Sequence, residues 1–137
     1  MQGPTYPPGS PGQTPQFAPS QEERVMAALS HASILVHQVG LIAPLVLWLV
    51  NEGKAPYAAY QAKQAFFFHL LVTVVTWIAV GLGFAFGLLT FGIGFFLAIP
   101  LLGALPVGAM IYGIVAAIHA YNGRDFRYWI VGDWFKP

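Results

Sequence analysis

The chain contains no cysteine, which excludes disulfides, zinc-thiolate sites, thiol catalysis and palmitoylation. It is also poor in charge. Only 8% of residues are charged, against about a quarter in ordinary soluble domains. The charges that exist are unevenly placed. Between Gln64 and Gly123 there is no Asp, Glu, Lys or Arg, and Val25 to Asn51 is a second such run. A membrane span needs about 20 apolar residues, and a soluble core helix rarely has so many in a row. No carboxylate lies inside either run, so paired-carboxylate catalysis has no place there. A nucleophile elbow, a phosphate loop and an H-E-x-x-H zinc motif are all absent. Net charge is +1, and the few basic residues read as topology determinants or lipid contacts rather than as a nucleic-acid surface.

What is present is apolar and helical. The expected fold class is all-α, an integral membrane bundle of three transmembrane helices behind a disordered N-terminal tail. Residues 1–20 hold six of the eleven prolines and no charge, a composition that cannot offset its ordering entropy. The helical domain spans residues 21–131, with membrane spans at about 25–50, 64–89 and 95–121. Residues 132–137 form an interfacial C-terminal tail. Ser20 and Glu23 have capping-box spacing, and Asn51 with Gly53 stops the first span. Pro56 suits the first position of the second helix, and "TFGIG" (90–94) is the only turn-like break in the long run. Gly40 and Pro44 interrupt the first span. They kink it, or they break it into a re-entrant hairpin that returns both chain ends to one side.

With three spans, Lys54, Lys63, Arg124, Arg127 and Lys136 share one side and Arg24 takes the other. That bias places the first loop and the C-terminus in the cytoplasm, with the N-terminus outside. Trp48, Tyr57, Tyr60, Tyr128 and Trp129, with Lys63, Arg124 and Arg127, are the expected interface anchors.

Each expected helix carries a stripe of small or polar residues at helical spacing. The first has Ser33, His37 and Gly40. The second has His69, Thr73, Thr76, Gly83 and Gly87. The third has Ala109, Gly113 and Ala116. Such residues line helix contacts in membranes. Intramembrane histidines are also candidate functional groups. His69 and His119, expected at similar depth on antiparallel helices, are the candidate haem or metal pair. A histidine satisfied by one interhelical hydrogen bond is the simpler reading, and no cofactor is expected.

Four stretches, "ALSHASIL" (28–35), "PLVLWLV" (44–50), "QAKQAFFFH" (61–69) and "AAIHAYNGRDFRY" (116–128), carry a family resemblance. Together they resemble the small bacterial membrane domain of unknown function grouped with the Tic channel-type component of chloroplast protein import. Lys63, Ala65, Phe68, Gly123, Arg127 and Tyr128 fit its motifs. Gln61, Phe67, His69 and Trp129 depart from them. The resemblance implies a polytopic helical membrane domain and no established activity.

The expected function is therefore a non-enzymatic, multi-pass interaction or scaffold module in the bacterial cell membrane. Its partners would be the bilayer and either a second copy or another membrane protein. The alternatives are a component of a transport or protein-translocation assembly, and a bis-histidine haem protein using His69 and His119.

Overall fold

The computed structural model describes residues 18–135, with the side chains of residues 37–39 excepted. The proline-rich tail therefore lies outside the described residues up to position 17, as do the side chain of His37, Lys136 and Pro137. Among the described residues the fold is all-α, with helices α1 (Gln21–Ala32), α2 (Ile42–Asn51), α3 (Pro56–Leu89) and α4 (Phe95–Tyr121). Nine residues of 3-10 hydrogen bonding, Ser33–Leu41, join α1 to α2, and a short 3-10 turn, Gly132–Trp134, follows α4.

Local chemistry sets most of these boundaries. Ser20 caps α1 through the Glu23 amide, and the Glu23 carboxylate accepts from the Ser20 amide in return. Gly53, at φ 77°, turns the chain after α2, and Pro56 opens α3. The α3–α4 turn places Gly92 at φ 91° and, unusually for a side-chain-bearing residue, Phe91 at φ 51°. The Thr90 hydroxyl donates to the Phe86 carbonyl and accepts from the Gly94 amide, closing that turn.

Two helices, α3 and α4, are long and apolar enough to cross a membrane. The expected first span is not a third. It is broken, and Pro44 is the cause. Proline has no N–H to give the carbonyl four residues earlier, which belongs to Gly40. That carbonyl lies instead 2.9 Å from Ser33 Oγ, whose one proton it shares with the Ser30 carbonyl at 2.8 Å, and His69 Nδ1 approaches it at 3.4 Å. Gly40 lies so close to Ser33 that a Cβ there would overlap the Ser33 carbonyl. A straight 3-10 run of seven residues would separate the two by about 14 Å. The segment must therefore curl back, and α1 and α2 form a hairpin. At about 18 Å and 15 Å, neither arm can cross a ~30 Å hydrocarbon core.

The arms pack on one end of the α3–α4 pair. α1 lies against α3 and α4, and α2 against α3. Contacts fix the direction of each. Arg24 sits beside Gly123, Ile34 beside Gly113, and Trp48 beside Phe66 and Phe67. The start of α1, the α2–α3 loop and the end of α4 thus share one end of the molecule, which we call the charged end. The other end is the α3–α4 turn, residues 90–94, which carries no charge.

Candidate functional site

Alanines bring the helices together at the charged end. Ala27, Ala58, Ala62, Ala65, Ala116 and Ala120 are essentially inaccessible. Small side chains let backbones approach closely where lipid gives no hydrophobic drive to associate. Into this tight region the fold inserts polar groups. His31 and Gln61 are fully buried, and Tyr128 is 1% exposed.

These groups form one directed chain. Gln61 Nε2 donates to Asp125 Oδ1 at 3.0 Å, so its Oε1 is the acceptor for His31 Nε2–H, also at 3.0 Å. A neutral imidazole protonated at Nε2 has a lone pair at Nδ1, which accepts from the Tyr128 hydroxyl at 2.9 Å. Each link in Tyr128–His31–Gln61–Asp125 thus joins a donor to an acceptor with histidine neutral. Burial pushes the Tyr128 hydroxyl well above the usual phenol range, which keeps it a donor. Tyr128 also stacks on Phe68 at 3.9 Å between ring centroids. Asp125 pairs with Arg127 at 3.4 Å, but both side chains are about half exposed, so that pair adds little. The chain joins α1, α3 and the segment after α4. Its evident work is to fasten the hairpin to the long helices.

Deeper in, at the tip of the hairpin, a half-open cavity of about 240 Å³ lies between α3 and α4. Ile34, His69, Thr73, Thr76, Trp77 and Pro106 are among the residues lining it. His69 Nε2 and both amide atoms of the fully buried Gln64 have no hydrogen-bond partner among the described residues.

Apart from His37, whose side chain lies outside the described residues, the residues singled out in the sequence now have a place. Ser33 and Gly40 form the hairpin turn. A Cβ on Gly83 would sit 3.0 Å from Leu102, and one on Gly87 would overlap the Phe95 ring, so this G-x-x-x-G pair serves the α3–α4 contact. Gly113 faces Ile34, Ala116 is fully buried, and Ala109 packs partly buried beside them. Lys63 Nζ lies over the rings of Trp48 (5.1 Å) and Phe135 (4.7 Å). The C-terminal segment thus folds back over the charged end, and Phe135 reaches Phe67. The Tyr57 hydroxyl lies within hydrogen-bond reach of two carbonyls, Arg124 at 2.9 Å and Ala120 at 3.1 Å, and that of Tyr60 donates to the Phe135 carbonyl. Trp129 is 86% exposed.

Two expectations change. Tyr128 is no interface anchor, because its ring is in the core. His69 and His119 do not meet. Phe68 faces Tyr112 across the helix pair, whereas Ala120 lies level with Tyr57, so about nine residues, or ~13 Å of rise, separate the two histidines. His119 instead approaches the Val115 carbonyl of its own helix at 2.9 Å. Among the described residues no three His, Cys, Asp or Glu side chains stand together as metal ligands.

The sequence reading overlooked Gln61 and His31 as partners. A signal was present, since two glutamines, Gln61 and Gln64, sit one turn apart on either side of Lys63 at the mouth of a charge-free run. What it lacked was the hairpin, which alone brings His31 to them.

No curated protein and no solved structure matches the chain. The profile of one family does, over residues 22–135, a stretch that includes the hairpin, both long helices and the folded-back C-terminal segment. It is not the Tic-like grouping that the four stretches resemble, and that resemblance is thereby overturned. The chain belongs to the magnetosome magnetite crystal formation protein family, MamF/MmsF.

Proposed function

We propose that this chain is a non-enzymatic membrane component acting in magnetite crystal formation. The observation that carries the proposal is the family match across the whole described helical domain. The site chemistry supports a structural rather than catalytic reading. The directed chain Tyr128–His31–Gln61–Asp125 is turned inward, and its one hydroxyl, on Tyr128, is only 1% exposed and held between His31 and the Phe68 ring, where a substrate has no room to approach. The protein would act by its presence in the membrane around the mineral, either alone or beside other membrane proteins.

The test is deletion of the gene in a magnetite-forming host that carries it, with complementation by the wild-type chain. Electron microscopy should show crystals of altered size or shape that complementation restores, while total cell iron stays within the wild-type range. Crystals indistinguishable from wild type would overturn the proposal. A complete loss of cellular iron uptake would point instead to a transport role.

A further inference from the structure

We propose that the molecule is a wedge that favours curved membrane, with its charged end on the convex side. The proposal rests on shape and on the membrane setting, and it does not depend on any role in mineral formation.

The wedge follows from where the hairpin stops. Burial along α3 falls into two regimes. Eight residues between Ala58 and His69 are buried, and beyond His69 only Gly87 is. In α4 the buried positions Gly113, Ala116 and Ala120 lie in the charged half, and Ala98 alone lies in the other. At the charged end the cross-section holds four helices, and past the hairpin tip it holds two. The tip reaches the level of His69, where Gly40 meets the ring. That is thirteen residues from Pro56, or about 20 Å along α3, roughly half of a 40–45 Å bilayer including headgroups. From there α3 continues alone with α4 for about 30 Å to Leu89.

The outer surface of the hairpin is made for lipid. Leu29, Leu35, Val36, Ile42, Val46 and Leu49 are all more than half exposed or close to it. Charged residues flank it only at its open end, where Arg24, Glu52 and Lys54 stand. One leaflet must therefore accommodate about twice the protein cross-section that the other does. A fluid bilayer relaxes that mismatch by bending so that the crowded leaflet lies outside. Because the basic residues gather at the charged end, that end faces the cytoplasm. The favoured shape is then a compartment that bulges into the cytoplasm.

The full chain, labelled at Ser10→Cys, can be reconstituted into giant vesicles of neutral phosphatidylcholine, from which narrow tubes are pulled. A membrane-impermeant quencher reports which molecules carry the labelled end outside. Those molecules should be several-fold denser on the tube than on the flat membrane, and inverted molecules should be depleted there. Equal density on tube and flat membrane in the charged-end-out orientation would overturn the wedge. So would enrichment that is the same in both orientations, because an asymmetric body must distinguish them. Neutral lipid removes any contribution from basic residues binding anionic headgroups.

Discussion

At the level of single residues, two glutamines one turn apart on the same helix have opposite circumstances. Gln61 both accepts from His31 and donates to Asp125, while Gln64, equally buried, has no partner for either amide atom among the described residues. A buried polar group without a partner costs about 1–3 kcal/mol, and an apolar group of similar shape removes that cost. Gln64→Met should therefore raise the unfolding temperature in detergent, and Gln61→Met should lower it, with circular dichroism reading both. Tyr128→Phe keeps the stack on Phe68 but removes the donor to His31 Nδ1, and should cost about 1–3 kcal/mol by the same measurement. Its effect also has a pH signature. The folded state holds the Tyr128 proton more tightly than the unfolded chain does. Its contribution is complete below the ordinary phenol pKa of about 10 and declines as pH rises through and beyond it. Wild type should therefore lose more stability above about pH 10 than Tyr128→Phe does.

At the level of elements, the hairpin is produced by a helix break that is also a binding contact. Pro44 frees the Gly40 carbonyl, and Ser33 and His69 take it up, so the same atom ends one helix and docks the turn onto another. In lipid such a freed backbone group must find a protein partner, which makes the break and the docking one event. Helix contact also separates glycines that look alike in sequence. A Cβ at Gly113 would lie 2.6 Å from Ile34 Cγ2 and 3.3 Å from the His31 carbonyl, whereas at Gly108 it would meet nothing within 4 Å. Gly113→Ala should destabilise by roughly 1–3 kcal/mol through forced separation of α1 from α4. Gly108→Ala on the same helix should instead stabilise, by up to about 1 kcal/mol, the gain in helix propensity alone. Parallel thermal melts of the two variants check the contrast.

At the level of the whole molecule, the hairpin changes the topology. A three-span chain would put the N-terminus and the C-terminus on opposite sides. The observed arrangement returns the start of α1, the α2–α3 loop and the C-terminal segment to one end. Reporter fusions at residue 1, near residue 54 and at residue 137 should accordingly all report the cytoplasm, and an insertion at residue 92 should report the opposite side. A residue 1 fusion on the opposite side from residue 137 would restore the three-span topology. The basic residues support the observed arrangement, since Arg24, Lys54, Lys63, Arg124 and Arg127 now stand together rather than divided.

The start of α1 and the limits of α3 and α4 were legible because they depend on neighbours in sequence. A capping box, a proline at the first helical position, a glycine-rich turn and long charge-free runs each act within a few residues, and α3 and α4 begin and end where those signals stand. The stripes of small residues were legible for the same reason, although not what each would touch. The break at Gly40 and Pro44 was visible too, but a kinked span and a returning hairpin place the same residues in the same order. What distinguishes them is where the Gly40 carbonyl finds its partners, which are Ser33 within the turn and His69 on α3, 29 residues away. The polar chain from Tyr128 to Asp125 needs His31 and Tyr128 to meet across 97 residues. Sequence by itself determined that the chain belongs in lipid and where its long helices lie, since hydropathy and local backbone chemistry suffice for both. Tertiary structure alone decided that the first apolar run turns back on itself, because that depends on which groups satisfy the carbonyl that proline leaves free.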